Sequence, residues 1–188
     1  MTNANRDRML ELVQKMHATS PTRNGSLKTP YWLHCQNVAG ILEDALGERR
    51  DVEPTVVEDL YLAALGHDLY EDTQVERTHV AEVCGPRVHS LILGMTNEVS
   101  DQDLAQYLYK LRTASDEVLL IKYADFIDNA QSLAANRKYF TPSKFNSIID
   151  ILVAIHPVLD AHEFSAEWQG VAMRLREMLV PAWTALCQ

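Results

Sequence analysis

Residues 60–73 read LYLAALGHDLYEDT, and this stretch determines what fold the chain is expected to adopt. Its first six residues are apolar or aromatic without period-two alternation, which predicts a helix that is buried on nearly every side. Four ionisable side chains then follow within the next seven positions: His67, Asp68, Glu71 and Asp72. Charged groups directly after a buried helix indicate a site rather than ordinary core packing.

The spacing of these four residues suggests what the site holds. If the helix continued to Asp72, a step of about 100° per residue would place all four on one face, across an arc of about 140°. Three carboxylates so close together raise each other's pKa unless a cation lies between them. We therefore expect a divalent metal ion at this position.

The rest of the chain repeats the three- and four-residue spacing of apolar side chains, which predicts an all-α fold. A length of 188 residues suits one domain, so we expect a single-domain helical bundle over residues 1–188, with roughly eight or nine helices. The expected helices are 5–18, 31–46, 55–68, 76–84, 86–95, 101–114, 117–136, 142–161 and 165–186.

Composition excludes several classes of partner. Seventeen Lys and Arg against 26 Asp and Glu give a formal net charge of −9, which disfavours a polymeric nucleic acid. No apolar run approaches the roughly 18–20 residues of a membrane span, and residues 1–8 lack the apolar part of a signal peptide. The three cysteines show no CxxC spacing, which is typical of a reducing compartment. We expect a cytoplasmic protein with a small-molecule substrate, and a homo-oligomer is compatible with the sequence.

His34 interrupts the second predicted helix on its apolar face. Aliphatic residues follow it at i+4, i+7, i+8 and i+11, so the imidazole points inward with them. A core histidine with a local hydrogen-bond partner is one interpretation, and a metal ligand is the other.

Residues 118–133, VLLIKYADFIDNAQSL, contain a second buried charge. Their aliphatic side chains surround the helix axis, so Asp125 needs a partner in the interior. A salt bridge with Lys122, one turn away, is the simple alternative to metal binding.

His34, His67, Asp68 and Asp125 lie on three separate helices that one bundle can bring together. Two imidazoles and two carboxylates form a mixed nitrogen and oxygen donor set, which suits Mn²⁺, Fe²⁺ or Zn²⁺ with open positions for water. The chemistry that this set indicates is metal-assisted hydrolysis.

Longer motifs narrow this interpretation. His67 to Thr73 (HDLYEDT), Gly94-Met95-Thr96 and Tyr123 to Asn129 (YADFIDN) resemble the HD-domain metal phosphohydrolases, and most closely the RelA/SpoT-type hydrolase domains and small alarmone hydrolases. The resemblance spans roughly residues 20–135, and helices within 142–186 are expected to complete the bundle. It implies a Mn²⁺-dependent 3′-pyrophosphohydrolase that releases pyrophosphate from (p)ppGpp, with Fe²⁺, Zn²⁺ or Mg²⁺ as other candidate ions.

The resemblance implies roles for the residues that match its motifs. The metal ligands correspond to His34, His67, Asp68 and Asp125. The acidic pair that orients and deprotonates the attacking water corresponds to Glu71 and Asp72.

Substrate contacts are also implied. Asn129 corresponds to a polar residue near the ribose and phosphates, and Ser132 stands where the family usually has Thr. Arg23 is the candidate to lie against the guanine. Lys28, with Arg23 and Lys122, is expected to neutralise charge on the departing pyrophosphate.

The chain departs from the family on the substrate side. Phe126, Asp128 and Gln131 stand where the family's usual run has Arg, His and Arg, so a substrate with four or five phosphates meets fewer cations. Two alternatives therefore stay open. One is an HD phosphohydrolase for another nucleotide, such as a deoxynucleoside monophosphate, and the other is a non-catalytic nucleotide-sensing or interaction module.

Overall fold

The computed structural model describes residues 2–20, 29–49, 51–97 and 104–187, and within these ranges the chain is helical and forms no β-sheet. The expected all-α class is confirmed. The helices are α1 (Thr2–Met16), α2 (Trp32–Leu46), α3 (Pro54–Leu65), α4 (Leu69–Asp72), α5 (Arg77–Cys84), α6 (Pro86–Met95), α7 (Leu104–Arg112), α8 (Asp116–Asn136), α9 (Pro142–Asp160) and α10 (Gln169–Cys187), with a 3-10 turn at Arg137–Tyr139.

Local signals in the sequence explain where several helices begin. Pro54, Pro86 and Pro142 occupy the first positions of α3, α6 and α9, where a missing backbone N–H loses no helical hydrogen bond. Ser115 precedes α8, and its hydroxyl accepts a hydrogen bond from the backbone N–H of Val118.

The expectation of one helix over 55–68 is wrong at its C-terminal end. Helix α3 ends at Leu65, and the backbone N–H of Gly66 closes the last turn on the carbonyl of Leu62. A Cβ at Gly66 would lie 3.0 Å from Cδ1 of Ile92 and closer still to Cε of Met9, so glycine suits the close packing at this turn. The four ionisable groups therefore lie on a turn and the short helix α4 rather than along one continuous helical face.

Helix α8 is the centre of the bundle. It packs against α2, α3, α6, α9 and α10, and its side chains are buried on nearly all sides between Val118 and Leu133. Because α2 and α3 also pack against each other, α2, α8 and the end of α3 meet in the interior. This meeting point is where the polar residues of the three segments lie.

None of the helices in the described part of the chain combines the length and apolar character that a membrane crossing needs.

Candidate metal centre

Four acceptor atoms from three parts of the fold converge in the interior. Nε2 of His34, on α2, lies 3.1 Å from Oδ1 of Asp125 on α8 and 3.4 Å from Oδ2 of Asp68. Nε2 of His67, in the turn after α3, lies 3.2 Å from Nε2 of His34 and 3.1 Å from Oδ2 of Asp68. All four residues are buried. The structure thus brings together the four side chains that the sequence suggested as ligands.

The outer nitrogen of each imidazole is bound to a protein acceptor. Nδ1 of His67 lies 2.8 Å from the carbonyl oxygen of Ala64, and Nδ1 of His34 lies 2.7 Å from Oδ2 of Asp128. Since neither partner has a proton to donate when Asp128 is ionised, each Nδ1 carries the proton. Both Nε2 lone pairs then face the carboxylates, and this cluster of acceptors needs a positive charge between them.

The electrostatics of the cluster favour such a charge. Burial lowers the pKa of His67, but the carboxylates of Asp68 and Asp125 outweigh it and raise that pKa well above its ordinary value. Burial raises the pKa of Asp68, but His67 and His34 outweigh it and hold that pKa well below its ordinary value. Burial also raises the pKa of Asp125, but Lys122 and the two imidazoles hold it well below its ordinary value. A pocket that attracts a proton this strongly also attracts a metal cation.

The spacing of the donors fits one divalent ion. Ligand atoms roughly 2.0–2.2 Å from a metal, at angles of about 90–109°, lie roughly 3.0–3.5 Å apart. The separations between imidazole nitrogens and carboxylate oxygens run from 3.1 to 3.6 Å. His34, His67 and Asp68 offer donor atoms that all lie within 4.8 Å of one another, and Oδ1 of Asp125 faces the same space. The residues present fit a divalent metal.

Asp125 is held in place by its own helix. Nζ of Lys122 lies 2.7 Å from Oδ2 of Asp125, and Nδ2 of Asn129 donates to Oδ1 at 2.6 Å. Burial lowers the pKa of Lys122, but the charge of Asp125 and other nearby groups outweigh it and keep that pKa well above its ordinary value. The salt bridge between Lys122 and Asp125, one of the two interpretations of the sequence, is present in the structure. It uses Oδ2 of Asp125 and leaves Oδ1 facing His34.

The acidic pair lies beside the cluster on α4, with side chains that reach solvent. The backbone N–H of Asn97 donates to Oε1 of Glu71 at 2.5 Å, which fixes the position of this carboxylate. Desolvation by the surrounding protein, followed by the charge of Asp68, raises the pKa of Glu71 to about 7. The same two causes raise the pKa of Asp72. A carboxyl group with a pKa near neutrality suits general acid–base chemistry.

Two further residues, which the sequence did not indicate as functional, contact the cluster. The hydroxyl of Tyr31 donates to Oδ2 of Asp68 at 2.9 Å, and its ring stacks on His17 with 5.1 Å between centroids. Asp128 contacts Nδ1 of His34. Helical spacing is the signal that could have found both, because Tyr31 precedes His34 by three residues and Asp128 follows Asp125 by three.

The structure describes only some of the residues that are expected to contact the substrate. Arg23 and Lys28 lie outside the described residues. Asn129 donates to Asp125, as given above, and Ser132 lines a cavity of about 250 Å³ beside His34. In the described part of the chain, no Lys or Arg lines this cavity, and its polar lining includes Asn37, Asp128, Gln131 and Ser132.

Comparison with known protein families places this fold and site in a class. The family described as "HD domain" matches residues 10–150, most of the chain. The chain belongs to the HD domain family.

Its relatives include nucleotide enzymes. A protein named GTP pyrophosphokinase rsh, from Brucella ovis, is 28% identical over 177 residues, which cover 87% of this chain and 22% of that protein. The Drosophila melanogaster protein named guanosine-3′,5′-bis(diphosphate) 3′-pyrophosphohydrolase MESH1 is 31% identical over 118 residues, covering 61% of this chain and 62% of that protein. The chain thus spans about a fifth of the length of the Brucella relative.

A solved structure shares the fold. It is described as a metazoan ortholog of SpoT that hydrolyzes ppGpp, and it superposes with a TM-score of 0.73 at 23% identity, covering 94% of each chain. The HD-type fold and the resemblance to RelA/SpoT-type and small alarmone hydrolases are confirmed.

Proposed function

We propose that this chain is a metal-dependent nucleotide phosphohydrolase that removes pyrophosphate from the 3′ position of (p)ppGpp. The observation that carries the proposal is the convergence of His34, His67, Asp68 and Asp125 on one centre. Two relatives support the choice of substrate, since one is named a 3′-pyrophosphohydrolase of the guanosine bis(diphosphate) and the other is described as hydrolysing ppGpp.

The four converging residues would hold the ion, and we propose Mn²⁺. Two carboxylates suit a hard cation, whereas two imidazoles favour a transition metal over Mg²⁺. When bound, such an ion supplies Lewis acidity toward a phosphoryl oxygen and toward water. Lys122 and Asn129 keep Asp125 in position, and Tyr31 does the same for Asp68.

Glu71 is the proposed general base. Its pKa of about 7 leaves an ionised fraction near neutrality that can take a proton from water and return it to the leaving group. The hydrogen bond from the backbone of Asn97 keeps Oε1 in one orientation beside the cluster. Asp72, on the same short helix, would orient the water, and Arg23 and Lys28 would meet the nucleotide.

A second candidate function is hydrolysis of a nucleotide with fewer phosphates. The cavity beside His34 favours it, because amide and hydroxyl groups line the cavity and the described residues contribute no cation there. Amide and hydroxyl groups can both donate to and accept from sugar hydroxyls, whereas strong binding of a pyrophosphate also uses charged donors.

One experiment separates these functions. Purified protein loaded with Mn²⁺ is incubated with ppGpp, pppGpp and the deoxynucleoside monophosphates, and the products are resolved as pyrophosphate or phosphate. Pyrophosphate with GDP or GTP supports the alarmone hydrolase, whereas phosphate from a monophosphate supports the second candidate. Tight nucleotide binding without turnover would instead identify a sensing module.

The proposed reaction needs neither a membrane nor a polymeric nucleic acid. We propose that it takes place in the cytoplasm, where guanine nucleotides are available. A homo-oligomer stays a prediction, and sedimentation of the purified protein tests it.

A further inference from the structure

Asp128 occupies an unusual place for a carboxylate, because it is buried at 5% exposure behind a candidate metal ligand. Oδ2 lies 2.7 Å from Nδ1 of His34, and Oδ1 accepts a hydrogen bond from Nδ2 of Asn37 at 2.9 Å. Asn37 lies three residues after His34 on α2, so these two contacts come from one face of one helix. An aspartate buried in this way is stable only because both oxygens are bound.

The imidazole of His34 lies between two carboxylates from consecutive turns of α8. Asp125 faces Nε2 at 3.1 Å, whereas Asp128 faces Nδ1 at 2.7 Å. An acceptor at Nδ1 keeps the proton on that nitrogen and leaves the Nε2 lone pair directed at the cluster. The contact also limits rotation of the ring and raises the basicity of Nε2.

Asp128 also sets the charge of the cluster. With Asp68 and Asp125 it supplies three negative charges, and the largely buried Lys122 supplies one positive charge. Asp128 thus adds one negative charge behind His34, which strengthens the attraction of the site for a divalent cation.

We propose that Asp128 is a positioning residue for the metal centre: it fixes the tautomer and orientation of His34 and raises the affinity of the site for a divalent cation. This role of Asp128 depends on the proposed function only because it requires a metal ion at the same centre. It does not depend on which substrate is hydrolysed. It adds a role to a position where the family's usual run has His rather than Asp.

The test measures metal binding without substrate. Binding of Mn²⁺ to the metal-free protein is measured by titration calorimetry for the wild type and for Asp128→Asn, which keeps the size of the side chain and removes its charge. Loss of an outer hydrogen-bond partner typically costs about 10- to 100-fold in metal affinity, and we expect a loss in this range.

Asp116→Asn is the matched control. Asp116 lies on the same helix, and its Oδ1 lies 2.7 Å from Nε2 of His162, so the control removes a similar aspartate–histidine contact. It is about 18 Å from Asp128 along the helix axis. We expect wild-type Mn²⁺ affinity in this variant, and equal losses in both variants would overturn the proposal.

Two further measurements separate positioning from a purely structural role. Nitrogen-15 NMR of the protein loaded with diamagnetic Zn²⁺ should show a slowly exchanging, hydrogen-bonded Nδ1–H of His34 in the wild type and a faster-exchanging one in Asp128→Asn. If that variant does not fold, Asn37→Ala weakens the same contact from the other side, and we expect a several-fold loss of Mn²⁺ affinity. Wild-type affinity in the folded variants overturns the proposal, whatever substrate the enzyme proves to use.

Discussion

Lys122 and Asp125 form a buried salt bridge in which Nζ lies 2.7 Å from Oδ2, while the other carboxylate oxygen faces Nε2 of His34 at 3.1 Å. From the sequence, a salt bridge and a metal ligand were alternative explanations for a buried aspartate. In the structure the two explanations are compatible, because the two oxygens of the carboxylate point to different partners. The lysine offsets part of the charge and leaves a donor atom for the metal.

We expect Asp68→Asn to remove metal binding and activity together. The amide keeps the shape of the side chain but loses the charge that faces both imidazoles. Affinity for Mn²⁺ should fall by at least about 100-fold, since a direct ligand matters more than an outer contact. Metal analysis of the purified variant and a hydrolysis assay check this, and wild-type turnover would refute the ligand role of Asp68.

Glu71→Gln should separate chemistry from metal binding. Glutamine can still accept the hydrogen bond from Asn97 but cannot take a proton from water. We expect Mn²⁺ affinity to stay close to the wild-type value, while kcat falls by about 10²- to 10⁴-fold. Calorimetry and steady-state kinetics measure the two effects, and an unchanged kcat would exclude Glu71 from proton transfer.

Asp116 lies away from the metal centre, and it should make the free energy of unfolding depend on pH. Partial burial raises the pKa of Asp116, but hydrogen bonds from His162 and the backbone of Ser165 outweigh it and lower that pKa. A carboxylate with a lowered folded-state pKa stabilises the fold above its unfolded-state pKa of about 3.9 and loses this effect as pH falls through the folded value.

The variant Asp116→Asn should therefore lower the free energy of unfolding by about 1 kcal/mol at pH 7, an amount reduced by the partial solvent exposure of the pair. The difference from the wild type should shrink as pH falls below about 4. Urea unfolding at a series of pH values measures it, and a difference that stays constant from pH 7 to pH 3 contradicts the electrostatic origin.

Gly94, which belongs to one of the family-like motifs, has a packing role in the structure. A side chain at this position would place its Cβ 2.6 Å from Cγ2 of Val118, whose branched side chain has little freedom to move. We expect Gly94→Ala to lower the free energy of unfolding by about 1–3 kcal/mol.

Gly40 offers the control for that substitution. It lies within α2, and an added Cβ would have nothing within 4 Å beyond its chain neighbours and the backbone of its own helix. Alanine has the higher helix propensity, so Gly40→Ala should raise the free energy of unfolding by about 0.5–1 kcal/mol. Thermal or urea unfolding compares the two, and similar effects in both variants would exclude a clash at Gly94.

Most of the fold and of the metal cluster is predictable from the sequence because both depend on strong local patterns. The polar residues interrupt apolar helices, so His34, His67 and Asp125 stand out without any structure. The end of α3 was not predicted correctly, since a glycine within an otherwise helical pattern does not by itself show whether the helix ends there.

The outer contacts of the site could not be assigned from the sequence. Asp128 is three residues from Asp125, yet which nitrogen of His34 it meets depends on how α2 packs against α8. The role of Lys122 depends likewise on which oxygen of Asp125 it reaches. Such details follow from relative helix positions, which local spacing does not determine.

The most direct test is the anomalous scattering of manganese in crystals of the wild-type protein grown with Mn²⁺. We predict one strong peak within about 2.0–2.3 Å of Nε2 of His34, Nε2 of His67 and carboxylate oxygens of Asp68 and Asp125. A peak held by other residues, or none between these four side chains when they are well ordered, would contradict the proposed metal centre.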